Sequence, residues 1–76
     1  MKQTDESTFV APSVAVLREH GGALDLREIT RLTAERLGTS LMYEDVDAVL
    51  RREQGEGRVA LVTDTDDFRR RTWKTA

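Results

Sequence analysis

The chain has 76 residues, the size of one small domain, with 34% charged residues and a formal net charge of −2. It has no cysteine and one histidine, which excludes disulfides and thiolate metal sites and leaves too few ligands for a histidine-based one. No apolar run reaches the roughly 18 residues that a bilayer span requires, and residues 1–8 lack the apolar stretch of a signal peptide. We therefore expect a soluble, cytoplasmic domain without metal or other cofactor.

The N-terminal segment 1–8 is polar and aperiodic, so we expect a disordered tail there and one folded domain over 9–76. Pro12 suits the first turn of a helix, because its missing N–H would have no partner in that position. Gly21-Gly22 supplies the left-handed backbone conformation that commonly ends a helix. The pattern predicts a first helix over about 12–20.

The second predicted helix has the best local signal in the chain. Asp25 and Glu28 have the spacing of a helix N-cap and its third helical residue, and Leu24 and Ile29 have the spacing of a hydrophobic staple. Gly38 ends the pattern. The apolar stripe of this helix is predicted at Leu26, Ile29, Leu32 and Leu37.

A third helix is predicted after the Gly38-Thr39-Ser40 turn, and Gln54-Gly55-Glu56-Gly57 breaks it. Its acidic residues come early and its basic residues come late, as the helix dipole prefers. Its buried face is predicted at Met42, Val46, Val49 and Leu50, spaced at i, i+4, i+7 and i+8.

The last third of the chain has the composition of a β-hairpin. Residues 58–63 are short and β-branched, residues 64–67 have turn composition, and residues 68–74 contain Phe, Thr and Trp. Phe68 and Trp73 have opposite parity, so a regular strand would point them to opposite faces, and we expect Trp73 to pack on the core. One core is predicted from Leu17, Ile29, Leu32, Val46, Val49, Leu50 and Leu61.

The order helix, helix, tight turn, helix, hairpin resembles the winged helix-turn-helix superfamily over about 12–74. The segment from Val46 through Arg52 into Arg58-Val59, followed by 64–71, resembles the recognition helix and wing of multiple-antibiotic-resistance-type regulators. In those regulators the wing carries acidic turn residues followed by arginines. The resemblance implies an α+β fold, a three-helix winged helix-turn-helix with a C-terminal β-hairpin wing.

The resemblance also implies a transcriptional regulator that binds double-stranded DNA. The third helix would enter the major groove and the hairpin would reach adjacent phosphates or the minor groove. A homodimer is expected, because a domain of this size buries little surface alone and two half-sites add affinity. The implied DNA contacts are Tyr43, Arg51, Arg52, Arg58, Arg69, Arg70, Arg71 and Lys74.

A second hypothesis is a winged-helix module that binds a protein and not DNA. The third helix begins with Glu44, Asp45 and Asp47, and carboxylates there repel phosphate. Residues 51–76 carry seven basic and five acidic side chains, so they have a surplus of positive charge, but alternation along a strand would make the run 69–71 merely solvated. A continuous basic face would favour DNA, and a patchwork of charges would favour protein.

Catalytic motifs are missing from the sequence. The glycine pairs lack the spacing and the lysine of a phosphate-binding loop, and His20 has no cysteine nucleophile to activate. Asp64, Asp66 and Asp67 lack the glycine and downstream glutamate of a calcium loop. We therefore do not expect an enzyme.

Overall fold

The computed structural model describes residues 7–76, which contain three α-helices and one three-stranded antiparallel sheet. The strands lie in the order β1-β3-β2, so that the last strand is central. The α+β composition predicted from the sequence, with a C-terminal hairpin, is confirmed. None of the helices in this range is both long and apolar enough to cross a membrane. The elements are α1 Ser7–His20, β1 Leu24–Asp25, α2 Leu26–Leu37, α3 Tyr43–Gly55, β2 Val59–Thr63 and β3 Thr72–Thr75, with a 3₁₀ turn at Phe68–Arg70.

The first helix starts earlier than predicted. α1 begins at Ser7 and contains Pro12 in its interior, so the predicted start was wrong and residues 7 and 8 belong to a helix instead of the tail. Proline removes one backbone donor from the helical ladder, and its ring crowds the carbonyl of the residue four positions earlier. The rest of the predicted tail, residues 1–6, lies outside the described residues. The predicted end is confirmed, since Gly21 has φ 78° and its N–H donates to the Leu17 carbonyl at 3.1 Å.

Both ends of α2 agree with the sequence prediction. A carboxylate oxygen of Asp25 accepts from the Glu28 N–H at 2.8 Å, and Gly38 closes the helix at φ 70°. The strand β1 that immediately precedes α2 was not predicted. It pairs Leu24 with Trp73, and the N–H of Leu26 donates to the Arg71 carbonyl at 3.0 Å. A strand of two residues is too short to show the alternation by which strands are recognised.

The core lies between the helices and the inner face of the sheet. Five of the seven predicted core positions are buried, and so is Trp73. Leu61 is only partly buried and packs against the core. The prediction that Leu32 belongs to the core is wrong, because the buried stripe of α2 passes through Thr30 and Thr33 and leaves Leu32 partly exposed. The prediction that Met42 lies on the buried face of α3 is also wrong. Met42 is the N-cap residue, which precedes the first turn of the helix, and it is 62% exposed. The buried apolar residues are Val14, Val16, Leu17, Leu26, Ile29, Val46, Val49, Leu50, Val59 and Trp73.

The hairpin differs from the prediction in its second strand. β3 starts at Thr72, and Phe68 lies in the 3₁₀ turn instead of a strand, so the opposite parity of Phe68 and Trp73 imposes no conflict. The register passes from Leu61 opposite Trp73 to Thr63 opposite Thr72, which is a β-bulge. A bulge bends the strand and increases its twist. The loop 64–71 is thereby turned toward the helices, and its 3₁₀ turn contacts both α2 and α3.

Candidate functional site

The helix α3 has one apolar face and one charged face. Val46, Val49 and Leu50 are buried in the core. The opposite side is centred on Ala48, because successive residues are rotated by roughly 100° around a helix with 3.6 residues per turn. We call this side the outer face of α3. It consists of the partly buried Ala48 and the exposed Glu44, Asp45, Arg51 and Arg52.

The loop 64–71 lies beside this outer face, and an open groove separates them. Phe68 is half-buried and packs against the core, which fixes the middle of the loop. We call the outer face of α3 together with this loop the α3–loop surface. The groove is lined by Glu44, Asp47 and Arg51 from the helix and by Asp66, Phe68 and Arg71 from the loop.

A chain of ion pairs joins the helix to the loop across the floor of this groove. The Asp47 carboxylate lies between two guanidinium groups, at 2.9 Å from Arg51 Nε and 3.8 Å from Arg71 Nη1. Arg71 also donates to Asp64 at 2.7 Å and is only 17% exposed. Because the Asp47 side chain is 12% exposed, its charge is screened by water less than that of a surface pair. Arg71 therefore fixes the loop to α3.

A second arginine of the loop, Arg69, is also paired with a nearby carboxylate. Arg69 donates to both carboxylate oxygens of Asp67, at 3.1 and 3.3 Å, and its backbone N–H donates to the same carboxylate. These hydrogen bonds lower the pKa of Asp67 below its ordinary value. Arg70 is exposed and forms no ion pair with any other residue of the described chain. Of the three consecutive arginines, one is therefore uncompensated within residues 7–76.

Arg58, predicted to contact DNA, forms a connection inside the fold. Its guanidinium donates to the two oxygens of Glu53 at 2.5 and 3.2 Å, and its backbone N–H donates to the Glu53 carbonyl at 2.9 Å. The Glu53 side chain is 4% exposed, and the hydrogen bond from Arg58 lowers the pKa of this carboxyl group despite the opposing effect of burial. This pair fixes the end of α3 to the beginning of β2.

The remaining predicted contacts are dispersed. Tyr43 is half-buried at the start of α3 and borders a second groove, which it shares with Asp25, Arg27, Glu28 and Arg31. Lys74 is exposed opposite Ala60 in the sheet, and alternation places it on the face away from Trp73. Arg52 lies on the outer face of α3. The structure thus brings five of the predicted arginines to the α3–loop surface and places Tyr43, Arg58 and Lys74 elsewhere. These five are Arg51, Arg52, Arg69, Arg70 and Arg71.

Sequence reasoning missed the residues that hold this surface together, Asp47 above all. It lies next to Val46 and one turn before Arg51, at the border of the apolar stripe, and a carboxylate in that position has to find a cation. The position of Asp47 at this border was therefore the signal in the sequence that could have identified it as a member of an ion pair. Its second partner, Arg71, is 24 residues away in sequence and could not be inferred from spacing.

No group of three or more His, Asp or Glu side chains is placed to hold a metal ion anywhere in the part of the chain that the structure describes. Comparison with protein-family models, with characterised proteins and with solved structures finds no match to this chain. The geometry of the α3–loop surface is therefore the basis for the functional argument.

Proposed function

We propose that this chain is a non-catalytic winged-helix module that binds a protein partner through the α3–loop surface. The winged-helix interpretation is supported by the sheet order β1-β3-β2, with β1 placed between α1 and α2. In this interpretation α2 and α3 form the helix-turn-helix and the loop 64–71 is the wing. The order of elements agrees with that arrangement over the whole described chain.

The single observation that carries the binding proposal is the local pairing of the arginines. Arg51 is held by Asp47, Arg71 by Asp47 and Asp64, and Arg69 by Asp67. Positive and negative charges therefore alternate around these three arginines. A nucleic acid presents phosphates of one sign along its backbone, whereas a protein surface can match alternating charges residue by residue.

The side chains around the outer face suit a protein interface. Met42 is 62% exposed immediately before α3, and methionine and arginine are enriched at protein interfaces. Glu44 and Asp45 are exposed at the helix N-terminus, where an approaching phosphate would be repelled. A partner with basic side chains there would instead be attracted, which gives the surface both specificity and orientation.

Affinity capture with matched variants tests this proposal. The tagged wild-type chain, a Glu44→Arg/Asp45→Arg variant and a Glu19→Arg/Glu35→Arg control would be incubated with nuclease-treated extract of the source organism. Each variant raises the net charge by four units, but the control changes exposed residues of α1 and α2. We expect one or more proteins to bind the wild type and the control and to be lost from the first variant. Identical recovery by all three chains would overturn the proposal.

Binding to double-stranded DNA is the second candidate. It is favoured by Arg27 and Arg70, which are among the exposed cations that form no ion pair in the described chain. Arg27 borders the groove beside Tyr43, and α2 contacts the 3₁₀ turn that contains Arg70. Under this candidate, replacing both with Ala weakens binding almost uniformly across sequences, because phosphate contacts do not read bases. The slope of affinity against salt should then become shallower by about one to two units.

A further inference from the structure

We propose that the occupant of the outer face of α3 is a second copy of this chain, bound through the same face with the two helices antiparallel. This inference rests on the proposed function, because it names the partner of the same surface. It is carried by the order and spacing of the four charges on that face. Two are acidic and lie toward the N-terminus, and two are basic and lie toward the C-terminus.

The charges form two columns on either side of Ala48. Glu44 and Arg51 are seven residues apart, about two turns and ~10 Å along the axis, so they lie on one flank. Asp45 and Arg52 have the same spacing and lie on the other flank. Each flank thus carries one negative and one positive charge, almost equidistant from the level of Ala48.

An antiparallel pair related by a two-fold axis beside Ala48 places opposite charges together. Glu44 then faces Arg51 of the second copy, and Asp45 faces Arg52 of the second copy, each within ~1.5 Å in height on an ideal helix. The symmetry repeats both contacts, as in any isologous interface. A parallel pair would instead place like charges opposite one another, so the charge order selects the antiparallel arrangement.

The residue at the centre of the face permits close approach. Ala48 has a small side chain, and helix axes pack at about 8–10 Å depending on the residues at the contact. Arg51 donates to Asp47 through Nε, which leaves its terminal N–H groups for a second carboxylate. The intramolecular pair therefore orients Arg51 without using all its donors.

The size of the face predicts a weak, salt-sensitive dimer. The helix α3 has 13 residues and is ~20 Å long, so its contact falls below the roughly 800 Å² per partner of a standard stable interface. Exposed charge pairs are screened by added salt. We expect association at low ionic strength that dissociates on dilution or on addition of salt.

A charge exchange between two variants tests the proposal by sedimentation velocity. In Glu44→Arg/Asp45→Arg all four charges of the face are positive, and in Arg51→Glu/Arg52→Glu all four are negative. We expect each variant alone to associate at least tenfold more weakly than the wild type, and their equimolar mixture to recover at least the wild-type level. Mixing Arg51→Glu/Arg52→Glu with the Glu19→Arg/Glu35→Arg control keeps the same net charges but leaves half of the facing charges alike. The Arg51→Glu/Arg52→Glu chain should therefore stay monomeric in this mixture, while the control associates with itself as the wild type does. Thermal melts of each chain verify folding.

Cysteine cross-linking supplies a second readout that leaves the charges intact. The chain has no cysteine, so Ala48→Cys introduces a single thiol at the proposed axis, and Thr39→Cys introduces one at an exposed position outside α3. Mild oxidation should link Ala48→Cys into dimers faster than Thr39→Cys, because a disulfide requires the two Cβ atoms to lie about 3.5–4.5 Å apart. Added salt should remove this difference in rate.

The inference is overturned if the mixture stays monomeric and the two cysteine variants cross-link at equal rates. In that case, loss of a captured protein from Glu44→Arg/Asp45→Arg would still support the proposed function with a different partner. If captured proteins are the same for all variants while the charge exchange restores dimers, the dimer stands and the surface binds no other protein of the extract.

Discussion

The 13 residues of the helix α3 form two faces, and the side chains of each face are subject to different constraints. On the inner face, Val46, Val49 and Leu50 are fully buried, and their identity is dictated by the space between the helices and the sheet. On the outer face, the charged side chains make few demands on packing, so their order is free to encode a partner. The inner face therefore determines the fold, and the outer face is the one that we propose to bind a partner.

The largest effect on stability is expected from the inner face. Leu50→Ala should lower the free energy of unfolding by about 2–5 kcal/mol, because it deletes buried methyl groups and leaves a cavity. Glu44→Ala on the outer face should change it by less than about 0.5 kcal/mol. Urea unfolding followed by circular dichroism measures both. Similar midpoints for the two variants would show that the faces were assigned incorrectly.

The ion pair at the end of α3 should contribute less than the core. Glu53→Gln replaces a buried carboxylate that accepts two hydrogen bonds from Arg58, and should cost about 1–3 kcal/mol at neutral pH. Arg58 is 55% exposed and regains water when its partner is neutral, which limits the loss. Arg58→Lys keeps the positive charge but loses the two-point contact with Glu53. It should still cost less than Glu53→Gln, because a charged partner for the carboxylate remains.

The same pair predicts a dependence on pH. The pKa of Glu53 is lowered in the folded state, so its stabilisation is complete above the unfolded pKa of about 4.3 and is lost as pH falls through the lower folded value. The free energy of unfolding of the wild type should therefore fall more steeply than that of Glu53→Gln below about pH 4.3. Parallel curves would contradict the assignment of a shifted pKa to this group.

A smaller change is expected at the start of α2. Asp25→Ala removes the side chain that caps the Glu28 N–H, which should cost about 1 kcal/mol. Asp66→Ala removes an exposed carboxylate of the loop and should have little effect. Equal destabilisation by the two substitutions would mean that the cap contributes nothing specific.

The smallest effect on global stability is expected at the exposed pair of the loop. Asp67→Asn removes the charge that binds Arg69, and surface pairs of this kind contribute little. The unfolding midpoint should stay within experimental error of the wild type. Amide exchange at Arg69 should nevertheless accelerate, because its N–H loses a charged acceptor. A large shift in the midpoint would indicate that the loop is part of the core.

The sequence predicted those parts of the fold that are determined locally. The cap at Asp25, the left-handed Gly38 and the stripe of α3 each depend on residues within a few positions of one another. β1 could not be predicted, since its two residues form a strand only through pairing with β3, almost fifty positions later. The start of α1 could not be predicted from Pro12, because proline favours the first turn of a helix and Pro12 lies inside this one.

The candidate site was predicted in part for the same reason. The arginines were identified from their clustering in the sequence, but their neutralisation depends on where the loop meets α3. Asp47 joins Arg71 only because the bulge and the 3₁₀ turn bring the loop against the helix. Charge counting along the chain shows a basic C-terminal third, whereas the folded surface distributes these charges among ion pairs.

The most direct test of the claim that the α3–loop surface binds protein instead of DNA is a titration of labelled duplex DNA, followed by fluorescence anisotropy at low and physiological salt. The wild type would be compared with Glu44→Gln/Asp45→Asn, which removes the two acidic charges nearest the start of α3. We predict no binding by the wild type at physiological salt within the range of about 10⁻⁶ to 10⁻⁴ M typical of non-specific complexes. Salt-dependent binding by the wild type in that range, tightened by Glu44→Gln/Asp45→Asn, would contradict the account.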